Sequence, residues 1–186
     1  IFWDVGCNIG LYSIYAAKKG SEVYGFEPSF FNLEVIARNI NLNSLKNFSV
    51  LPIALSDTTK MSELKLTSSI WGSAHSTFDK NYGGDGNKIN EEIIYNTIGF
   101  SMDKILETLK IPNPDYIKID VDGIEHLILK GGKNVLKNSK SILIENSINF
   151  TEQNKEINKI LEELKFKLIS EEFLEKDYSN QIWEKY

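Results

Sequence analysis

The chain has 186 residues, 41% of them hydrophobic and 25% charged, with a formal net charge of −5 and a single cysteine, Cys7. That is enough chain for one domain with a sizeable core, and the composition is ordinary for a soluble protein. The acidic balance argues against a broad nucleic-acid surface, no run of about 18 apolar residues is available to cross a membrane, and one cysteine excludes an internal disulfide framework and fits a reducing, cytoplasmic compartment.

Elements alternate between strand and helix along the chain, which predicts an α/β fold. Ile1-Phe2-Trp3-Asp4-Val5 reads as a strand, followed by a glycine turn and a helix over 10–19 that Gly20 ends. The chain begins without Met and already inside this strand, so it is expected to lack its native N-terminus. A second strand spans 22–26, and Ser29 is placed to cap a helix over 30–42 whose Leu33, Ile36, Ala37 and Ile40 share a face. A third strand is expected over 48–55 despite Pro52. Alternation at 61–66 and 93–100 marks two exposed strands. Between them, residues 71–90 read as a long loop, either a surface hairpin or a flap over a site. A helix at 101–109, a strand at 115–121, a helix at 124–136 interrupted near Gly131-Gly132 and a strand at 141–145 follow. The chain then ends with a helix at 152–164 and an antiparallel edge pair at 166–170 and 181–186. The organisation expected is one domain over 1–186 with an inserted loop or hairpin at 61–100.

The first turn carries chemistry. In Asp4-Val5-Gly6-Cys7-Asn8-Ile9-Gly10 a strand passes through glycines four apart into a helix. Such a crossing holds nucleotide-type ligands, with free helix N–H groups facing the crevice. A dinucleotide fingerprint needs a bare glycine against the pyrophosphate, and here Asn8 stands there. Asp4 is unfavourable near phosphate and favourable near a sulfonium or ammonium. Glu27, seventeen residues beyond Gly10, can accept hydrogen bonds from both ribose hydroxyls. The ligand these residues fit is S-adenosylmethionine. Asp57, after the third strand, is placed to bond the adenine amino group. The bland alternative is that the glycines only shape a turn while Glu27 is a solvated acid.

A second cluster, Asp120-Val121-Asp122-Gly123-Ile124-Glu125-His126, lies where a buried strand meets the next helix. Ligands bind at that edge of an open α/β sheet. Asp120, Glu125 and His126 are the catalytic candidates, because methyl transfer to a hydroxyl needs help in removing its proton. Asp122 and Glu125 have a structural alternative at the helix N-terminus, and His75 is a candidate substrate contact. Paired oxygens also suit Mg²⁺ or Ca²⁺, but no metal is assigned.

These residues together make the chain resemble the FkbM family of S-adenosylmethionine-dependent methyltransferases. The resemblance rests on Asp4 to Gly10, Phe26-Glu27-Pro28, Asn39 to Asn43, Ala54-Leu55-Ser56-Asp57, Ile117 to Glu125, Leu129-Lys130-Gly131-Gly132 and Leu143-Ile144-Glu145. Asp122, where the family pattern has Glu, and Cys7, where it has Ala, are departures. The resemblance implies a Rossmann-like class I methyltransferase fold, with a seven-stranded, mostly parallel sheet, an antiparallel last strand and helices on both faces. It also implies S-adenosylmethionine held by Asp4, Gly6, Asn8, Gly10, Glu27, Asp57 and Asp120, and O-methylation of a small-molecule or carbohydrate acceptor. It assigns neither the acceptor nor the oligomeric state. Two other readings stay open: a nicotinamide-dependent oxidoreductase on a Rossmann fold, opposed by the missing G-x-G-x-x-G, and a cofactor-binding scaffold without catalysis.

Overall fold

The computed structural model describes residues 1–174 and 177–185. Its main sheet contains β1 (Phe2–Val5), β2 (Val23–Phe26), β3 (Phe48–Leu51), β8 (Tyr116–Ile119), β9 (Ser141–Ser147), β10 (Phe166–Phe173) and β11 (Tyr178–Lys185), and its strand order is β10-β11-β9-β8-β1-β2-β3. β1 pairs in parallel with β2 on one side and β8 on the other. β11 runs antiparallel to both its neighbours, β9 and β10. The last two strands therefore form the expected antiparallel pair at the edge of the sheet, with β10 outermost and β11 between it and β9. Tyr186, the expected end of that strand, lies outside the described residues.

Alternation along β1 sends Trp3 and Val5 to one face and Asp4 to the other. On the first face they join Ile117, Ile119, Ile142 and Ile144 of the neighbouring strands. The helices α3 (Met102–Leu109), α4 (Glu125–Lys130), α5 (Lys133–Asn138) and α6 (Thr151–Glu163) cover that face with Ile105, Ile128, Leu136 and Leu161. Each such side chain contributes about 1.5–3 kcal/mol on full burial. On the second face, α1 (Leu11–Lys18) and α2 (Phe30–Leu42) bring Ala17 and Ile36 against Cys7, Val23 and Phe48.

The expected third strand breaks at Pro52, which has no N–H to continue a ladder. β3 stops at Leu51, and β4 (Ala54–Leu55) leaves for a second sheet. That sheet, in the order β4-β7-β5-β6, is built from the middle of the chain: β5 (Lys60–Leu66), β6 (Ser76–Phe78) and β7 (Ile93–Phe100). β5 and β7 pair antiparallel, as the alternation predicts. β6 lies within the segment expected to be all loop, and packs its Phe78 into the core. Ser29 does precede α2, but its side chain makes no capping bond. The expected 124–136 helix is two helices, α4 and α5, divided at Gly131-Gly132.

Candidate active site

β1 has β2 on one side and β8 on the other, so the sheet changes direction at the C-terminal ends of these strands and leaves a crevice there. The crevice is a cavity of about 420 Å³, within the range of small-molecule sites. Gly6, Asn8, Glu27 and Asp120 of the predicted set meet along its wall, together with His75 and Asp122. Apolar side chains, among them Pro28, Ile53 and Leu55, line another part. Among the lining residues missed from the sequence as site residues are Glu145 near the end of β9, and Leu174 and Tyr178 from the β10–β11 hairpin. Leu143-Ile144-Glu145 carried part of the family resemblance, and the register that sets Ile144 beside Ile119 brings Glu145 next to Asp120.

The first turn is tight because Gly6 holds φ +75°, and a Cβ there would lie 1.9 Å from the Asp120 carbonyl oxygen. Gly10 also sits in the left-handed region, at φ 86°, and caps α1 away from the cavity wall. The turn presents Asn8, whose backbone N–H donates to one oxygen of Glu27 at 2.9 Å, while Ser29 N–H donates to the other at 2.8 Å. Burial pushes the Glu27 carboxyl up to about 7 against these two bonds. A carboxylate oriented this way keeps lone pairs for a ligand's hydroxyls.

Asp4 does not reach the cavity. It is fully buried behind the turn, accepts from Ser13 Oγ at 2.7 Å, and lies 3.9 Å from Lys118 Nζ. Lys118 reaches Asp120 at 2.7 Å, with the Tyr12 ring 4.8 Å away. Burial alone would lower the Lys118 pKa, but the two carboxylates outweigh it and hold the ammonium above its ordinary value. Asp57 is also absent from the described lining. Its carboxylate accepts from Ser56 and Thr58 hydroxyls, with Lys60 at 3.7 Å.

Glu125 and His126 are placed elsewhere too. Glu125 is 3% exposed and turns back under the β8–α4 turn, accepting from the Gly123 and Val121 N–H groups and from Gln153 of α6. Burial pushes its carboxyl to about 7. His126 packs between Gln153, Phe150 and Glu156, and burial lowers its pKa. The helical direction that starts at Glu125 carries both side chains to the α4–α6 seam. Glu125→Ala should therefore act on stability, since it strands two buried donors, Gly123 N–H and the Gln153 amide, and the part-buried Val121 N–H. We expect a loss of about 3 kcal/mol in urea unfolding.

The middle segment is seated on this edge. Ser73 carbonyl accepts from the Asn8 and Asn32 side-chain amides, and Gly72 N–H donates to Asn32. Ser76 N–H donates to Asp122 at 3.1 Å, and His75 Nδ1 lies 3.5 Å from the other Asp122 oxygen. A Cβ on Gly123 would sit 2.4 Å from the Gly83 carbonyl oxygen, so the second part of the segment packs directly on the β8–α4 turn.

Glu27, Glu125 and Glu145 all have carboxyls pushed to about 7, first by burial. In the unfolded chain these groups titrate near 4.5, so between the two values the folded protein holds the more protons. Stability from this source is complete below the lower value and is lost as pH rises through the upper one. His126, with its lowered pKa, has the opposite sign but is a single group. Urea unfolding of the ligand-free protein should give a larger free energy at about pH 5.5 than at about pH 8.

Comparisons with known proteins converge. The family model described as Methyltransferase FkbM domain matches residues 4–168. The hexuronic acid methyltransferase AglP of Haloferax volcanii is 26% identical over 165 residues, which cover 89% of this chain and 62% of that protein. The chain thus spans less than two thirds of the length of this curated relative. Among solved structures, the methyltransferase FkbM from Methylobacillus flagellatus superposes with a TM-score of 0.63 at 16% identity, over 98% of this chain and 42% of that one. A putative tRNA (m1A22) methyltransferase from Streptococcus pneumoniae, in complex with S-adenosyl-L-methionine, gives 0.58 at 14% identity, over 100% and 65%. At these identities the structural likeness is one of fold.

Proposed function

The chain belongs to the FkbM methyltransferase family, and from that premise we propose that it transfers a methyl group from S-adenosylmethionine to a hydroxyl of a small molecule, sugar or glycan precursor. The observation that carries this reading is Glu27, held by two backbone N–H groups at the end of β2 and lining a cavity that Gly6, Asn8 and Asp120 also line. These residues fit the cofactor. Glu27 offers acceptors to ribose hydroxyls, Pro28, Ile53 and Leu55 offer apolar surface to a flat ring, and the wall is acidic where a cation would lie. When bound, S-adenosylmethionine supplies a methyl group on a positively charged sulfur.

The chain's own residues bind, orient and exclude water. Asn8 N–H fixes one oxygen of Glu27, Lys118 fixes Asp120, and the 72–76 segment, tied to Asn8, Asn32 and Asp122, acts as a cover over the crevice. A sugar-type acceptor is supported by the similarity to a hexuronic acid methyltransferase. Asp4 and Gly10 shape the first turn from behind the wall. The nicotinamide reading is set aside, because the chain belongs to a methyltransferase family. The test is a screen for transfer of labelled methyl from S-adenosylmethionine to a panel of hexosides, hexuronides and glycolipids. Labelled methyl ether on at least one acceptor is expected. No label on any of them, together with no binding of S-adenosylhomocysteine, would overturn the proposal.

A further inference from the structure

We propose that Glu145, and not Asp120, Glu125 or His126, is the general base that takes the proton from the acceptor hydroxyl. This inference rests on the methyl-transfer reading above.

Four carboxylates line the cavity: Glu27, Asp120, Asp122 and Glu145. Three are already engaged. Glu27 accepts from Asn8 and Ser29, Asp120 is ion-paired with the buried Lys118 at 2.7 Å, and Asp122 accepts from Ser76 N–H beside His75. A proton delivered to Asp120 would remove the nearer of the two carboxylates beside the Lys118 ammonium, in a site where that side chain is only 6% exposed. Among the described residues, Glu145 has no hydrogen-bond or ion-pair partner, so its oxygens are open to a ligand. It is part-buried near the C-terminal end of β9, beside Asp120 in the register and opposite Asn180 of β11.

The groups facing it explain its poise. Burial raises the Glu145 carboxyl to about 7, Asp120 and Asp122 add to the rise, and Lys118 and His75 oppose it. A base is most useful when its proton affinity is near the working pH. Tyr178, across the same wall, is pushed to about 12 by burial and by surrounding carboxylates. It keeps its proton at neutral pH. Glu125 and His126 lie at the α4–α6 seam and do not line the cavity.

The reaction balances without another component. The acceptor oxygen forms a bond to the methyl carbon, and the carbon–sulfur bond breaks with its electron pair going to sulfur. The sulfonium becomes the neutral thioether of S-adenosylhomocysteine, and the hydroxyl proton passes to the Glu145 carboxylate, which later releases it to solvent.

The experiment compares wild type, Glu145→Gln, Glu145→Asp and His75→Ala, using the best acceptor from the hexoside and hexuronide panel. Glu145→Gln should lower kcat by at least about 100-fold, with S-adenosylhomocysteine affinity kept within about threefold by calorimetry. The wild-type kcat profile should rise through a limb near the Glu145 value, which the Gln variant lacks and the Asp variant partly restores. Independently of activity, carbon-13 titration of labelled glutamate carboxyls should show a resonance titrating near 7 that disappears in Glu145→Gln. Wild-type kcat in Glu145→Gln, a pH limb lost in His75→Ala but kept in Glu145→Gln, or a Glu145 carboxyl titrating like an exposed glutamate would each overturn the assignment. Those results leave the methyl-transfer reading intact, whereas wild type that neither binds S-adenosylhomocysteine nor transfers methyl removes both.

Discussion

Gly6→Ala is expected to lose both fold stability and cofactor binding. The residue holds φ +75°, and its added Cβ would stand 1.9 Å from the Asp120 carbonyl oxygen and 2.9 Å from Val121 Cγ1. The first neighbour is backbone at the end of β8, so no side-chain rotation relieves the contact. Left-handed backbone adds about 1–2 kcal/mol for an L-residue, and parting β1 from β8 adds more. A total above about 3 kcal/mol corresponds to a drop in Tm of roughly 6–12 °C for a domain of this size. Gly20→Ala separates the two causes. Gly20 has φ +94° but nothing within 4 Å of its missing Cβ, so only the backbone cost of about 1–2 kcal/mol is expected there. Thermal unfolding of both variants checks the difference, and equal losses would show that the contact with β8 is unimportant.

Glu27→Ala should be the most damaging single change for cofactor affinity. Hydrogen bonds to a charged group contribute about 1.5–3 kcal/mol each, and two ribose hydroxyls are offered to this carboxylate. Losing both corresponds to a fall in affinity of at least about 100-fold. The pH dependence gives a second signature. The Glu27 carboxyl is raised to about 7 by burial, and the ionised form is the better acceptor for two hydroxyls. Cofactor affinity should therefore increase as pH rises through that value, and this increase should flatten in Glu27→Gln. Calorimetry at several pH values measures both effects.

Much of this site was legible as sequence because its parts are local. Asp4 to Gly10 is one strand-to-helix turn, and its glycines are required by positive φ at Gly6 and Gly10. Glu27 follows a short β pattern at the expected distance from the turn, and the structure puts it on the cavity wall with Asn8, Gly6 and Asp120. What sequence order could not show is which way a side chain turns once its strand ends. Glu125 stands five residues beyond Asp120 and looks like its partner, yet the start of α4 rotates it beneath the turn, where it satisfies backbone donors. Glu145 stands 25 residues beyond Asp120 in the sequence, and the parallel pairing of β8 and β9 sets the two side by side.

The fold shows the same division. Alternation marked β5 and β7, and both pair as expected. Pro52 sat inside an expected strand, and the missing N–H divides it between two sheets. β6 was hidden in a Gly- and Ser-rich segment because it has only three residues, and its place depends on pairing with β5. The antiparallel edge pair forms as expected, but which of its strands is outermost is likewise a tertiary fact: β11, the last in sequence, lies between β10 and β9.

The central claim is that Glu27 and the Gly6–Gly10 turn hold the adenosine end of a methyl donor. Calorimetric titration of S-adenosylhomocysteine into the wild-type chain and into Glu27→Ala tests it most directly. One site is predicted in the wild type, weakened at least about 100-fold in the variant. Equal affinity in the two proteins, or no binding to the wild type, would contradict it.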